Sequence, residues 1–444
     1  MIKFFIKTYG CQANEADSAA LANYLISLNC KQVYDKNLSD LIVINTCAIR
    51  QKAEDKFFSY LGELAEVKKR AAHLKVIVIG CVATYRKEEI YKRFEYINFV
   101  LGAKEDLNKL KTYLFNSIVE LESVKQIYGQ NKKENNVVLN LGGIKDTPKE
   151  FKRSLINIMI GCNNYCSYCI VPFTKGREKS FAAKDILLKV KSDLEQGVKE
   201  ITLLGQNVNS YKDPQSGINF AQLLDTVAAV EGDFWIRFVS PHPKDMTKDV
   251  LHVMAKYPDK LCAFIHHPLQ SGSDKILKSM NRTYTVEKYL EQIDWIKTIL
   301  PNATISTDII VAFPGETIDD FEQTMMVVER VKYDNIYPFI YSSRNYTKAS
   351  LLNDDVSRKE KIRRIEVLIK RQSEISFEKN SINVGKNLRV LVEKRATNGK
   401  LLARTQGNIR VFFDGDDKLI GSFVDVKIEK ATPADLKAAF LSTD

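Results

Sequence analysis

The first part of the sequence repeats one pattern: an apolar run of strand length, then a cysteine, then a segment with helical character. The runs KFFIKTYGC, DLIVINTC and KVIVIGC end at Cys11, Cys47 and Cys81, and stretches such as NEADSAALANYLISL follow them. Apolar runs that alternate with helical segments are typical of βαβ units around a parallel sheet. The pattern therefore predicts an N-terminal α/β domain over residues 1–116.

These three cysteines, the N-terminal triplet, each fall just past a predicted strand and none falls inside one. The carboxyl ends of parallel strands share one edge of a sheet, and ligands bind at that edge. We therefore expect Cys11, Cys47 and Cys81 to meet at one site. The alternative is three separate structural cysteines, since free cysteine is among the most buried residue types.

A second group, the central triplet, consists of Cys162, Cys166 and Cys169 in the stretch GCNNYCSYCIVPFTKGR. Structural zinc takes four protein ligands, and the usual paired CxxC arrangement is absent here. The spacing CxxxCxxC suits a cubane iron–sulfur cluster, whose ligands are soft thiolates. Three thiolates hold three irons, so the fourth iron stays open to a substrate or cofactor. Three unrelated cysteines are the alternative.

Strands and helices alternate again after this stretch, over residues 151–380. Candidate strands lie in EITLLGQNVNSY, FWIRFVSPHP, LCAFIHHPLQSGSD, ISTDIIVAFPGET and NIYPFIYSSR. About six βα units predict an open or partial barrel, which builds its site at the carboxyl ends of its strands. Each polar residue there could instead cap a helix or face solvent. The candidate cofactor-binding residues at this rim are Gln206, Asn207, Ser240, His266, Gln270, Asp308 and Glu316.

The remaining segments are a polar stretch and a small C-terminal domain. Residues 117–150 are weakly periodic and read as a linker. A basic helix from Arg358 leads into residues 381–444, where short alternating strands predict a small β-barrel. Its interleaved basic and aromatic residues favour RNA binding by phosphate contacts and base stacking, and a packed barrel with solvated charges is the alternative. These residues are Arg389, Lys394, Arg404, Arg410, Phe412 and Phe413.

Composition narrows the class of protein. At 444 residues the chain exceeds what one core usually organises, and its net charge of +11 favours a polyanionic partner. The start, MIKFFIKTYG, has neither a secretory apolar region nor a membrane span, so we expect a cytoplasmic protein. In that reducing compartment eight cysteines are unlike a disulfide framework. The two outside the triplets, Cys30 and Cys262, read as structural.

Several stretches of the chain match known motifs: YGCQANEADS, INTCAIRQKAEDK, IGCVA, GCNNYCSYCIVPFTKGRE, LLGQNVNSY, SPHP, PLQSGSDKIL and TDIIVAFPGET. The central triplet, on a loop after the first barrel strand, resembles the signature of radical S-adenosylmethionine enzymes. Over almost its whole length the chain resembles the MiaB-type tRNA methylthiotransferases of that superfamily, and its C-terminal region is similar to a TRAM domain. TYGCQ and NTCAIR resemble the enzymes that act on isopentenylated adenosine beside the anticodon.

The resemblance implies two 4Fe–4S clusters. The central triplet would hold the cluster whose free iron binds S-adenosylmethionine, which one electron cleaves to a 5′-deoxyadenosyl radical. The N-terminal triplet would hold an auxiliary cluster that presents the sulfur to be methylated and inserted at C2 of the adenine. The basic helix and the TRAM-like barrel would hold the anticodon arm of tRNA. An electron donor and a sulfur source are also implied, and neither is identified by the sequence.

The chain departs from the family pattern at positions 345–346 and 267, and at Ala403, where a glycine is common. In YSSRNYTKAS, Asn345 and Tyr346 stand where the family usually has proline and glycine, so we expect the backbone there not to use a glycine conformation. Arg344, before them, is kept and is expected to contact the cofactor. His267 replaces an apolar residue beside His266.

Other functions remain open at the level of sequence. The substrate could be threonylcarbamoyl adenosine instead of isopentenyladenosine. The same cysteines and basic barrel would also permit a non-enzymatic iron–sulfur protein that binds RNA, or an RNA-binding module stabilised by zinc.

Overall fold

A computed structural model describes residues 1–48, 51–128 and 153–443. The described chain forms two units. One unit contains the residues up to Tyr128 together with Ile170–Arg177, and the other contains the rest.

The first unit is built on a five-stranded sheet with the order β2-β1-β3-β4-β5, in which all paired strands are parallel. Its strands are β1 Lys3–Tyr9, β2 Lys31–Gln32, β3 Leu41–Thr46, β4 Lys75–Gly80 and β5 Phe99–Gly102. Its helices are α1 Gln12–Ser27, α2 Gln51–Arg70, α3 Cys81–Tyr85, α4 Lys87–Arg93, α5 Leu107–Tyr128 and α6 Val171–Lys175.

The apolar runs of this sheet are continuous because both of its faces are covered. In β3, Ile42 and Ile44 pack in one apolar cluster with Phe57 of α2. Val43, between them, packs in a second cluster with Leu25 of α1. Successive side chains of a strand point to opposite faces, so a strand buried on both sides needs apolar residues throughout. The prediction of an N-terminal parallel sheet is confirmed.

Helix α5 extends into the segment that the sequence predicts to be a linker. Ile118 and Leu121 continue its buried face, and the helix ends at Tyr128. The rest of that segment, 129–150, lies outside the described residues.

The second unit contains six parallel strands in two three-stranded sheets, β10-β9-β6 and β11-β12-β13. A parallel bridge from Ile236 to Leu261 connects the sheets, so the strands form a partial barrel, as predicted. The strands of this unit before residue 381, including the short pair β7 and β8, are β6 Arg153–Asn157, β7 Met159–Ile160, β8 Lys179–Ser180, β9 Glu200–Leu204, β10 Trp235–Phe238, β11 Phe264–His266, β12 Thr304–Val311 and β13 Asn335–Ile340. The helices are α7 Ala183–Glu195, α8 Phe220–Ala228, α9 Lys248–Lys256, α10 Asp274–Ser279, α11 Val286–Ile299, α12 Ile318–Val331 and α13 Arg358–Ser381.

A small closed barrel follows α13, with the strand order β14-β15-β16-β18-β17. Inward-facing residues such as Val390, Leu401 and Phe413 form its core, as the alternating pattern predicts. Its strands are β14 Asn387–Arg395, β15 Leu401–Thr405, β16 Arg410–Phe413, β17 Phe423–Ala431 and β18 Asp435–Thr443.

The closed barrel is docked on the partial barrel through Arg237 of β10. The buried guanidinium donates to the backbone oxygens of Thr405 and Gln406 at 2.8 and 2.7 Å and to the Glu200 carboxylate at 2.7 Å. Trp235 packs against Phe423 beside this contact. Among the described residues, no helix is both long enough and apolar enough to cross a membrane.

Candidate cluster-binding sites

The N-terminal triplet lies at the carboxyl edge of the first sheet. Tyr9 at the end of β1 is paired with Thr46 at the end of β3, and Thr46 is paired with Gly80 at the end of β4. The three adjacent strands therefore end at the same level, and each cysteine follows within two residues. Cys11 caps α1, and Cys81 is the first residue of α3.

The three thiols act on one another. A hydrogen bond with Cys47 lowers the pKa of Cys11 to about 6. Burial raises the pKa of Cys81, and the charge of Cys11 adds to that rise. The structure thus brings Cys11, Cys47 and Cys81 together, and their role as cluster ligands stays a prediction.

Two buried asparagines fix this edge of the sheet, and sequence reasoning did not find them. The Cys11 thiol donates to Asn14 Oδ1 at 3.3 Å, and the Asn14 amide donates to Asn45 Oδ1 at 2.9 Å and to the Thr46 carbonyl at 3.1 Å. Gly80 has φ of 104°, and a Cβ at this position would lie 2.4 Å from the Thr46 oxygen. The only sequence signal was that Asn14 and Asn45 stand close to the cysteines.

Helix α6, which comes directly after the central triplet in the chain, packs within the first unit. The buried Thr174 hydroxyl makes a hydrogen bond with the Cys81 thiol. Lys175 Nζ lies 3.1 Å from Asp17 Oδ2. Burial alone would lower the pKa of Lys175, but the Asp17 carboxylate together with Cys81 and Cys11 outweighs burial and raises the pKa, so the ammonium stays charged. A cation therefore lies near the N-terminal triplet.

The central triplet lies on the loop between β7 and α6. Burial raises the pKa of Cys162 to about 11 in the free thiol, and Cys166 and Cys169 are partly exposed. The Cys169 amide donates to the Cys166 carbonyl at 3.0 Å, which forms a tight turn. Gly161, with φ of 83°, begins the loop, and its amide donates to Gln206 Oε1 at 2.6 Å.

Neighbouring segments hold this loop by its backbone. The Asn281 amide donates to the carbonyls of Asn164 and Tyr165 at 3.2 and 2.9 Å. The Ser167 amide donates to the Met280 carbonyl at 2.9 Å, and the Ser167 carbonyl accepts from the Ala349 amide at 2.7 Å. The segments after α10 and after β13 therefore position the cysteines.

Arg282 is a charged side chain that makes hydrogen-bond contact with a thiol of the central triplet. Its Nη1 lies 3.3 Å from Cys166 Sγ and 2.7 Å from His242 Nε2. Sequence reasoning missed Arg282, because a lone arginine after a short helix usually reads as a solvated surface residue.

The predicted rim residues lie at the carboxyl ends of β9 to β12, and most of their side chains are engaged with neighbours. Asn207 Nδ2 donates to Asp245 at 2.7 Å, while its buried Oδ1 has no hydrogen-bond partner within the described chain. His266 bridges Ser306 Oγ at 2.9 Å and Asp308 Oδ2 at 3.3 Å. The unsatisfied Asn207 oxygen is a hydrogen-bond acceptor that a ligand could use.

Two other rim residues adopt left-handed backbone conformations. Ser240 has φ of 58° and Gln270 has φ of 72°, and Ala312 after β12 has φ of 57°. Three successive strand ends thus carry strained residues, a feature that clusters at binding sites.

Glu316 is buried rather than presented to the rim. Its carboxylate accepts from the Ala312 amide at 2.7 Å and from Arg364 Nη1 at 2.6 Å. Burial raises the pKa of Glu316 in spite of this ion pair. The carboxylate shapes the loop after β12, which leaves it little capacity to contact a cofactor directly.

The expectation for the segment after β13 was wrong in one respect. Tyr346 has φ of 71°, so the backbone keeps the conformation that a glycine would favour although a tyrosine stands there. Hydrogen bonds from the amide and hydroxyl of Thr347 to the Arg344 carbonyl, at 3.1 and 2.7 Å, close the turn and impose this conformation.

Three candidate arginines of the small barrel are paired with carboxylates. Arg389 pairs with Asp233 at 2.9 Å, Arg404 with Glu393 at 2.8 Å and Arg410 with Asp435 at 2.7 Å. Phe413 lies in the barrel core and is not available to stack on a base. Phe412 is half-buried on the outer side of the same strand.

The chemistry of the two triplets fits iron–sulfur clusters. Within the described residues, no three His, Cys, Asp or Glu side chains converge as a ready site for a single metal ion. A cubane binds each thiolate to a different iron, so its ligands need not converge on one point. Three thiols are a soft donor set of the kind that such clusters take.

Three family profiles match the chain in succession. Residues 3–102 match "Uncharacterized protein family UPF0004", residues 156–328 match the Radical SAM superfamily, and residues 382–441 match the TRAM domain. The central triplet lies within the second match, and the closed barrel contains most of the third.

Curated relatives cover nearly the whole chain. A protein of Thermodesulfovibrio yellowstonii is 40% identical, over 99% of this chain and 99% of its own length. One of Clostridium botulinum (strain Langeland) is 42% identical over 97% and 95%, and one of a Thermoanaerobacter species is 42% identical over 96% and 90%. All three are named tRNA-2-methylthio-N(6)-dimethylallyladenosine synthase.

Among solved structures, a radical S-adenosylmethionine methyltransferase of Kitasatospora setae, solved with cobalamin and a 4Fe–4S cluster, has a similar fold. The TM-score is 0.56 at 13% identity, over 78% of this chain and 77% of the other. At this identity the likeness concerns the fold alone.

Proposed function

The chain belongs to the family of tRNA-2-methylthio-N(6)-dimethylallyladenosine synthases, and from this premise we propose how its residues divide the work. It is a radical S-adenosylmethionine enzyme that transfers a methylthio group to tRNA. The target is C2 of N6-isopentenyladenosine, which we place beside the anticodon. The C2 hydrogen of adenine is not acidic, so a side-chain base cannot remove it and radical chemistry is required.

The family uses a 4Fe–4S cluster and S-adenosylmethionine. We assign this cluster to the central triplet. When bound there, the cluster supplies the one-electron cleavage of S-adenosylmethionine that the unactivated C–H bond needs. The protein's part is to hold the three thiolates on a loop whose backbone is fixed by Asn281, Met280 and Ala349.

The rim residues are proposed to bind S-adenosylmethionine. The buried Asn207 Oδ1 and the exposed Ser240 offer polar groups at the ends of β9 and β10. His266, held by Ser306 and Asp308, offers a third at the end of β11. Gln206 acts on the cysteine loop through Gly161, and Gln270 and Arg344 shape the neighbouring turns.

A second 4Fe–4S cluster is proposed at the N-terminal triplet. The observation that carries it is that Cys11, Cys47 and Cys81 each follow one of three adjacent, register-aligned strands, and that a hydrogen bond with Cys47 lowers the pKa of Cys11 to about 6. A readily formed thiolate favours metal binding. Lys175 places a positive charge near this site, which suits an anionic sulfur ligand that an external sulfur source would renew.

The closed barrel and α13 are proposed to hold the anticodon arm, with the target base extruded from its stack. Support comes from the TRAM match and from the net charge of +11. Because many barrel arginines are already paired, we expect contact through a distributed positive potential and backbone groups as much as through single arginines.

One substitution in each triplet distinguishes the roles of the two triplets. Cys166→Ala should abolish deoxyadenosine production while the fold and tRNA binding persist. Cys47→Ala should retain cleavage of S-adenosylmethionine but yield no methylthiolated tRNA. Cys30→Ala, at a buried thiol that belongs to neither triplet, is the control and should keep both activities. Deoxyadenosine production by Cys166→Ala would contradict the assignment.

The substrate is tested by the nucleoside mass profile of tRNA from cells that lack the gene. Isopentenyladenosine should accumulate without its methylthio form. Loss of methylthiolated threonylcarbamoyl adenosine instead would favour the alternative substrate.

A further inference from the structure

Arg282 is a buried cation that hydrogen-bonds to several neighbouring groups. It follows α10, and only 8% of its surface is exposed. Besides Cys166 and His242, it donates from Nη2 to the Pro268 carbonyl at 3.1 Å and from Nε to the Tyr284 hydroxyl at 2.9 Å. In the described part of the chain, this partner set contains no carboxylate.

A guanidinium keeps its proton in proteins, so burial cannot neutralise Arg282. A buried charge without a counter-charge is strongly unfavourable. Arg282 Nη1 lies 3.3 Å from the Cys166 sulfur, and a cysteine that binds iron does so as a thiolate, which brings a negative charge to this contact. The site is therefore electrostatically complete only when the central triplet carries its cluster.

The guanidinium is held in position for this contact. Tyr284, which accepts from Arg282 Nε, donates its own hydrogen to the carbonyls of Pro268 and Leu269, each at 3.0 Å. Pro268 and Leu269 follow β11, and His242 follows β10, so two strand-end loops fix the plane of the guanidinium. The N–H group directed at Cys166 Sγ is thus preorganised.

Hydrogen bonds and positive charge near the sulfurs stabilise the reduced, more negative state of an iron–sulfur cluster and so raise its reduction potential. We propose that Arg282 is a positioning residue that raises the reduction potential of the cluster on Cys162, Cys166 and Cys169 through its N–H contact with the Cys166 sulfur. The step is the uptake of one electron from an external reductant, and no atom is transferred. The proposal rests on the assignment of that cluster in the proposed function.

The test is an EPR-monitored redox titration of full-length protein, reconstituted without oxygen, with dithionite as the reductant. The signal to follow is the one that changes when S-adenosylmethionine is added, because only the cluster with a cofactor-binding iron responds. Arg282→Gln removes the charge and should shift the midpoint to a more negative potential. Arg282→Lys keeps the positive charge but loses the planar guanidinium with its several N–H donors. It should give a smaller shift in the same direction.

Lys244→Gln is the matched control. Lys244 Nζ donates to Asn164 Oδ1 at 2.8 Å, so this change also removes one positive charge beside the same loop, but from an exposed side chain without a sulfur contact. Its midpoint should shift much less than that of Arg282→Gln, because solvent screens the charge of an exposed lysine. An unchanged midpoint in Arg282→Gln would overturn the proposal. If Arg282→Gln does not fold, an unchanged midpoint in Arg282→Lys overturns it.

A second readout distinguishes a change in the reduction potential of the cluster from general damage to the site. With dithionite, Arg282→Gln should cleave S-adenosylmethionine more slowly than the unmodified protein. The rate should recover with a stronger reductant such as titanium(III) citrate. No recovery would mean that Arg282 only supports the loop. Absence of any signal that responds to S-adenosylmethionine in the unmodified protein would instead count against the proposed function, so the two failures are distinguishable.

Discussion

Tyr346 stands in a backbone conformation that bulky residues avoid. An ordinary residue in the left-handed region lowers stability by about 1–2 kcal/mol. A glycine avoids this strain, but it loses more conformational entropy on folding, which offsets part of the gain. We expect Tyr346→Gly to raise the free energy of unfolding by about 1 kcal/mol. The measurement is the denaturant midpoint at unchanged slope. Asn29→Gly, at φ of 61°, is the comparison and should gain less because asparagine tolerates this region.

Two buried histidines predict sensitivity to acid. His267 stacks on Tyr289 and contacts Gln292 at 3.1 Å, and burial lowers its pKa to about 3. Burial likewise lowers the pKa of His242 to about 2. Below about pH 6.5 both histidines are protonated in the unfolded chain but stay neutral in the folded protein. The free energy of unfolding therefore falls as the pH drops through that value.

The contribution of His267 is measured with His267→Leu. Between pH 7 and pH 5 the variant should lose about 2 kcal/mol less stability than the unmodified protein. His252→Gln, at an exposed position, controls for the change itself. Equal acid sensitivity in His267→Leu and the unmodified protein would refute the claim that His267 stays neutral in the folded protein.

At the residue level, sequence reasoning found the cysteines but not their surroundings. Runs that end in cysteine carry a local signal, whereas Asn45, Thr174 and Arg282 acquire their positions only through long-range packing. The conformation of Tyr346 was misjudged because local preference was assumed to decide it. In the structure, the turn around Arg344 and Thr347 decides it instead.

At the scale of elements, α13 is held on the partial barrel by ion pairs of different burial. Arg364 pairs with Glu316 where both side chains are buried, and Arg371 pairs with Glu329 of α12 at the surface. Glu316→Ala leaves a buried arginine short of one counter-charge, and should cost about 3 kcal/mol of stability. Glu329→Ala, the exposed counterpart, should cost less than about 1 kcal/mol. Similar losses in the two variants by chemical denaturation would contradict this ranking.

Most strands and helices were predictable because their periodicity is strong. β3 and β4 are continuous apolar runs, and α7 and α12 have one apolar face. The end of α5 was not predictable, because a polar segment gives little periodic signal even where Ile118 and Leu121 still pack in the core.

At the scale of the whole second unit, Arg237 joins the closed barrel to the partial barrel. Arg237→Gln combined with Glu200→Gln removes the charged pair together and should loosen this docking. We expect about tenfold weaker tRNA binding, as for a loss of roughly 1.4 kcal/mol. Cleavage of S-adenosylmethionine without tRNA should be unchanged. Lys256→Gln, at an exposed ion pair with Asp225, is the control. A loss of cleavage equal to the loss of binding would show general damage instead.

Sequence predicted the three kinds of architecture in this chain because each has its own periodicity. It did not predict how the closed barrel docks, since Arg237 reaches backbone oxygens of Thr405 and Gln406 that carry no side-chain signal.

The account depends on two cysteine triplets that each hold a cubane, one for radical generation and one for sulfur. The most direct test is Mössbauer spectroscopy with iron and sulfide analysis on the full chain reconstituted without oxygen. We expect two 4Fe–4S clusters per chain, about eight irons in all. Cys162, Cys166 and Cys169 replaced together by alanine should leave one cluster, and so should replacement of Cys11, Cys47 and Cys81. A single cluster in the unmodified protein would contradict the account.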